Sequence, residues 1–207
     1  MSNVSLIDAA SPSDIADWVE ARLAAALDRS GGSVAITVPG GSTPFPIFEL
    51  LATRTLDWLR ITVWPGDDRI VPEDHEASNT GKLRAIFEQV GAKVMTLTEA
   101  KEPPEFAIAW LGMGGDGHIA SLFPNTDPQI DDQQLIRRLT PDPLPPEAPF
   151  DRITLTIPAL LNAAEVMFTL GGSAEKRDVF EAAMRGEHDL PIARFMGAAP
   201  QPVTCFT

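Results

Sequence analysis

Phe106-Ala107-Ile108-Ala109-Trp110-Leu111, followed at once by Gly112-Met113-Gly114-Gly115-Asp116-Gly117-His118, sets the reading of this chain. Six apolar residues without polar alternation describe a strand buried on both faces, the habit of parallel sheets covered by helices. The glycines end that strand in a loop whose backbone can turn sharply and come close to a ligand. Working outward, strand and helix signals alternate. Ser11-Pro12-Ser13-Asp14 starts a helix in which Ile15, Val19, Leu23 and Leu27 recur every four residues, and Gly31-Gly32 stops it. Ser33–Val38 and Ile61–Trp64 read as strands, Pro44–Leu51 as a helix, and Ser78 as the cap of a helix with Leu83, Ile86, Phe87 and Val90 on one face. Val94–Leu97, Arg152–Ile157, Val166–Leu170 and Val203–Phe206 read as further strands, with a helix over 174–185. The expected fold class is α/β, a mostly parallel β-sheet flanked by helices on both faces.

Composition narrows the function. The 207 residues suit one domain spanning 1–207. Sixteen Lys and Arg against 29 Asp and Glu give −13, so the basic face of a nucleic-acid binder is not expected. No apolar run approaches the roughly 18 residues of a membrane span. The first basic residue is Arg22, which leaves the N-terminus without the charged start of a signal peptide. A single cysteine, Cys205, excludes an internal disulfide and a cysteine zinc cluster, and the expected compartment is the cytoplasm. Three scattered histidines and one cysteine offer no ligand set of recognisable spacing, and no metal is expected. The oligomeric state is open, a monomer being favoured. Pro141–Pro149, with five prolines in nine residues, reads as an extended surface connection.

In sheets of this class ligands bind beyond the carboxyl ends of the strands, so the loops after Val38, Trp64, Leu111 and Leu170 carry the chemistry. Pro39-Gly40-Gly41-Ser42-Thr43-Pro44 runs from a strand into a helix. The N–H groups of Gly40, Gly41, Ser42 and Thr43 could receive an anion, although the segment lacks the Gly-Lys-Ser/Thr ending of a nucleotide P-loop. The plainer alternative is a glycine turn before a helix. Asp67-Asp68-Arg69 could supply a base, a hydroxyl-binding carboxylate and an anion clamp, or merely a solvated ion pair.

The loop 112–118 contains a literal G-x-G-x-x-G. Pro124 leaves no room for the packed helix of a dinucleotide site, however, and no acidic residue follows at the expected spacing. The better reading is a loop presenting Asp116 and His118, a carboxylate beside an imidazole, as in general-base catalysis, with glycine N–H groups nearby for an oxyanion. In Gly171-Gly172-Ser173-Ala174-Glu175-Lys176, Ser173 caps a helix and puts Lys176 in its first turn. There a cation opposes the helix dipole by roughly 0.3–1 kcal/mol, a penalty that a bound phosphate would reverse.

Together these segments resemble the 6-phosphogluconolactonases, in the superfamily of glucosamine-6-phosphate deaminase and ribose-5-phosphate isomerase, whose fold is called ribose-5-phosphate isomerase/CoA-transferase-like. The resemblance is carried by the Pro39–Pro44 loop, Asp67-Asp68-Arg69 with Val71-Pro72, Ser78-Asn79, Arg152–Thr156, the Lys176 segment and, above all, Gly112–Pro124. The ending Ala120-Ser121-Leu122-Phe123-Pro124 looks like the lactonases; the deaminases usually have Phe-Asn-Glu-Pro there and a tyrosine in place of Arg69. The resemblance implies hydrolysis of 6-phospho-D-glucono-1,5-lactone, a phosphorylated sugar lactone, without metal or cofactor. It implies that His118 activates water with Asp116 nearby, and that Gly40, Gly41, Ser42, Thr43, Asp67, Arg69, Arg152 and Lys176 hold phosphate and sugar oxygens. Two departures stand out. Asp68 replaces a usual glutamate, and only Thr98–Glu105 separate two expected strands where the family has a helix. The competing expectations are a sugar-phosphate isomerase or deaminase on the same fold, and a sugar-phosphate sensor that binds without turnover.

Overall fold

The computed structural model describes residues 3–146 and 148–207. Ten strands are formed: β1 (Val4–Ile7), β2 (Val34–Val38), β3 (Ile61–Pro65), β4 (Asp67–Arg69), β5 (Lys93–Val94), β6 (Phe106–Leu111), β7 (Ile136–Leu139), β8 (Arg152–Leu155), β9 (Ala163–Thr169) and β10 (Val203–Phe206). The α-helices are α1 (Pro12–Arg29), α2 (Phe45–Ala52), α3 (Asn79–Phe87), α4 (Ile157–Leu161), α5 (Ala174–Arg185) and α6 (Pro191–Ala198). Seven strands make one parallel sheet in the order β1-β10-β9-β6-β2-β3-β5. The other three form a small antiparallel sheet, β4-β8-β7.

Strand periodicity explains the apolar runs. In β6, Ile108 and Trp110 face the core beneath α1, α2 and α3, whereas Ala109 and Leu111 face a second core shared with α5, α6 and the small sheet. β9 divides likewise, with Met167 on the first side and Val166 and Phe168 on the second. β6 is therefore apolar throughout because it has no solvent side. Cys205 lies in the second core, where burial pushes its thiol up to about 12, an inert thiol at neutral pH.

The expected elements are present, with three corrections. The strand expected at Val94–Leu97 is only Lys93–Val94, an edge strand paired to β3. Residues 95–105 then cross back over β3 and β2 to β6 without a helix. At roughly 3.3 Å per residue an extended chain of that length reaches well beyond the ~14 Å of three strand spacings. Leu97 plugs the core along this path. The strand expected at Arg152–Ile157 ends at Leu155 and belongs to the small antiparallel sheet, while Ile157 begins α4. Pro141–Pro149 is more than a surface connection, because Pro145 and Ala148 border the main cavity; Glu147 lies outside the described residues.

β4 shows how this fold uses a three-residue strand. Successive side chains point to opposite faces, and Asp68 points away from its neighbours toward the start of α3. Its carboxylate accepts from the N–H groups of Asn79 (2.6 Å) and Thr80 (2.9 Å) and from the Ser78 hydroxyl (3.3 Å). A buried carboxylate thus satisfies the unpaired donors of a helix N-terminus. Asp68→Ala should destabilise the fold by about 1–3 kcal/mol, lowering the unfolding midpoint by ~2–4 °C per kcal/mol. A thermal melt matching the wild type would refute this anchoring role.

Candidate active site

β9, β6, β2 and β3 are neighbours in the sheet and parallel, so their carboxyl ends deliver the four loops side by side. Between β6 and β2 the order of strands reverses direction, the crevice where such sheets bind ligands. A cavity of about 480 Å³ opens there. Gly40, Gly41, Ser42, Thr43, Asp67, Arg69, His118, Arg152 and Lys176 all border it, as do Asn79, Ser121 and Thr169. Asp116 does not; it stands behind His118.

The imidazole of His118 and the carboxylate of Asp116 meet at 2.6 Å between Nδ1 and Oδ1. Hydrogen bonding to His118 holds the Asp116 carboxyl below the usual carboxylate range, against partial burial. An ionised acceptor fixes Nδ1 as the protonated nitrogen and leaves the Nε2 lone pair for chemistry. The turn is drawn tight by Gly114 N–H donating to His118 O (3.0 Å) and Gly117 N–H to Gly114 O (3.0 Å). Gly117 O in turn accepts from Ile192 N–H at the start of α6 (3.0 Å). Phe123 lies against the imidazole, its ring centroid 4.7 Å away. No long helix follows the glycines; there is only a 3-10 turn at Pro124–Thr126, in keeping with rejection of a dinucleotide site. Of the glycine N–H groups expected to serve an oxyanion, those of Gly114 and Gly117 are spent on the loop itself. Among the described residues, the N–H groups of Gly41, Ser42 and Thr43 make no backbone hydrogen bond and lie on the cavity wall.

The cations are more constrained than the sequence suggested. Arg69 and Arg152 stand directly opposite on β4 and β8. Like charges so placed repel. Arg152 is 2% exposed, and its guanidinium donates to the carbonyls of Phe150 and, at 2.7 Å, Ala148. Burial, and then the Arg69 charge, lower its proton affinity. Arg69 Nη1 donates to Ala77 O and to Asn79 Oδ1, each at 3.1 Å, and its buried Nε has no partner among the described residues. Lys176 occupies the first turn of α5, where its N–H is capped by the Ser173 hydroxyl at 3.3 Å. In a chain of net charge −13, three cations among the described residues share one cavity with one carboxyl group.

That carboxyl belongs to Asp67. Burial pushes it above the usual range, opposed by the hydrogen bond from Ser121 and by Arg69. Ser121 N–H also reaches Thr154 Oγ1 (3.2 Å), so this serine docks the 112–124 loop onto the small sheet. Sequence reasoning gave Ser121 and Asn79 no role, although both lay inside quoted motifs. The missing signal was spatial, since their partners are 54 and 10–12 residues away. Among the described residues no three His, Cys, Asp or Glu side chains gather as a metal site.

Two outcomes follow from this geometry. A Cβ on Gly114 would lie 2.2 Å from His118 Nδ1 and 2.5 Å from Asp116 Oδ1. Gly114→Ala should therefore separate the pair, and imidazole ¹⁵N NMR should lose the fixed Nδ1–H tautomer; an unchanged tautomer would contradict the contact. For Asp67, a raised folded-state value means that ionisation penalises folding, from above the unfolded value near ~3.9 and fully beyond the folded value. Asp67→Asn should raise the unfolding midpoint at pH 8, with the advantage vanishing as pH falls toward 4. A midpoint at pH 8 equal to or below that of the wild type would contradict it.

Comparison with known proteins agrees with this geometry. Residues 8–99 and 85–204 match the family described as glucosamine-6-phosphate isomerases/6-phosphogluconolactonase. A 6-phosphogluconolactonase of Pseudomonas aeruginosa is 34% identical over 207 residues, covering 89% of this chain and 86% of that protein. One from Neisseria meningitidis is 32% identical over 203 residues, covering 86% of each. The crystal structure of a 6-phosphogluconolactonase from Shewanella baltica superposes with a TM-score of 0.83 at 28% identity, over 98% of this chain and 97% of that one. The chain belongs to the family of glucosamine-6-phosphate isomerases and 6-phosphogluconolactonases, as one of its lactonase-type hydrolases.

Proposed function

We propose that the protein hydrolyses 6-phospho-D-glucono-1,5-lactone to 6-phosphogluconate, with His118 as general base. The observation that carries this reading is that the His118–Asp116 pair and the opposed Arg69 and Arg152 serve one cavity. A base alone fits many hydrolases. A base beside a cluster of cations selects an ester that also carries an anionic group.

In this mechanism the phosphate lies against Arg69, Arg152 and Lys176 and positions the ring. His118 Nε2 takes a proton from water as the water oxygen bonds to C1. The imidazolium formed is stabilised by Asp116, which keeps the Nδ1 proton in place. Charge gathers on the carbonyl oxygen, for which the N–H groups of Gly41, Ser42 and Thr43 are the unspent donors. The tetrahedral centre then collapses with cleavage of the bond from C1 to the ring oxygen, and His118 returns the proton to that oxygen. Asp67 takes no part in phosphate binding here, since a carboxyl group would repel it; its place suits a sugar hydroxyl. A lactone already hydrolyses in water, so modest general-base help suffices. We place the reaction in the cytoplasm. No helix among the described residues is long and apolar enough to cross a membrane.

The test is hydrolysis of freshly generated lactone, with the spontaneous rate subtracted. His118→Ala should lower kcat by ~10²–10⁴-fold. Lys176→Ala should raise KM for the phosphorylated lactone about 10- to 150-fold, and much less for unphosphorylated gluconolactone. Wild-type turnover in folded His118→Ala would exclude it as the base. Lactone binding without turnover in the wild type would make the protein a sensor.

A further inference from the structure

We infer that Asn79 is a positioning residue for phosphate recognition, its amide holding the Arg69 guanidinium in register with the Gly40 turn. The inference rests on the lactonase reading and adds a residue to it. Asn79 is the first residue of α3 and is 2% exposed, yet it borders the cavity. Its Nδ2 donates to Asp67 O at 2.9 Å, and its Oδ1 accepts from Arg69 Nη1 at 3.1 Å. Its backbone N–H is taken by Asp68 at 2.6 Å. One Nδ2 hydrogen and the Oδ1 are thus committed to β4, and through them Asn79 places the groups around it.

Gly40 completes the arrangement. A Cβ at Gly40 would fall 2.3–2.5 Å from the amide atoms of Asn79, so the backbone of the glycine turn rests directly on that amide. One side chain thereby ties together the backbone of β4, the head of Arg69 and the turn whose N–H groups face the cavity. The site requires a donor and an acceptor on one short, rigid stem, which an amide supplies. Leucine has neither, and aspartate would set a second acceptor against the Asp67 carbonyl.

Arg69 needs such a hold. Its Nε has no partner among the described residues, its other side-chain bond leaves from the same Nη1, and the like charge of Arg152 stands opposite. A long side chain pushed by a neighbouring charge leaves its place unless an acceptor keeps it there. Ala77 O and Asn79 Oδ1 are its two acceptors, and Asn79 Oδ1 is the one that a side-chain substitution removes. It leaves the Nη2 edge of the guanidinium without a bond among the described residues, the edge an arriving phosphate would use.

The test is a double-mutant cycle on Asn79→Ala and Arg69→Ala. The readout is the ratio of kcat/KM for the phosphorylated lactone to that for unphosphorylated gluconolactone, from which effects on the His118 chemistry and on the folded fraction cancel. Asn79→Ala should lower the ratio about 10-fold or more, Arg69→Ala at least as far, and the double variant no further than Arg69→Ala. An unchanged ratio in Asn79→Ala, or losses that multiply in the double variant, would overturn the inference and leave the lactonase reading standing. A wild type without hydrolysis above the spontaneous rate would defeat the lactonase reading instead. Calorimetric titration of the same proteins with inorganic phosphate would then decide the role of Asn79, weakened binding in Asn79→Ala supporting it and unchanged binding refuting it.

Discussion

Two arginines facing one another across adjacent strands, one of them almost wholly buried, are the constraint around which this site is built. Like charges on directly opposed residues repel, and the more so where one of them is buried. The protein meets that cost with groups that have little other reason to be where they are. Arg152 is held by the carbonyls of Ala148, in the proline-rich segment, and of Phe150 just beyond it, and Arg69 by Ala77 O and the Asn79 amide. A small antiparallel sheet beside a large parallel one follows from the same need. β4 and β8 bring residues more than 80 positions apart into register at the mouth of the crevice.

The arrangement also explains how a strongly acidic protein could attract an anion. Net charge acts over the whole surface and is screened within about 8–10 Å, whereas the cavity wall presents its cations at contact range. Burying those charges costs stability, and the parallel sheet with helices on both faces supplies it. The apolar core and the charged cavity divide the labour, and the strand ends are where they meet.

Much of this was legible in the sequence because it is local. The run 106–111 can only be a two-sided strand, and Ser173 with Gly171-Gly172 fixes the start of α5 and the place of Lys176. The proximity of Asp116 and His118 follows from a glycine-rich turn of five residues. Asp67-Asp68-Arg69 reads instead as a loop, and the shared face of Asp67 and Arg69 appears only because β4 is a strand. What stayed hidden depends on pairing over long distances. No local pattern distinguishes a strand of the main sheet from β8 of the small one, and at 157–161 the only helix signals are Thr156 at the cap position and Pro158 in the first turn of a very short apolar run. The role of Asn79 shows only once Gly40, Asp67 and Arg69 are seen around it. The proline-rich segment misled for the opposite reason, since its composition describes an exposed connection while its Ala148 carbonyl serves Arg152.

The central claim is that the His118–Asp116 pair and the arginine pair act on one molecule at once. A crystal structure with 6-phosphogluconate bound measures this directly. The account predicts the phosphate on Arg69, Arg152 and Lys176, with the C1 carboxylate within ~3 Å of His118 Nε2 or one water away. A phosphate bound outside this cavity, or a carboxylate turned away from His118, would contradict it.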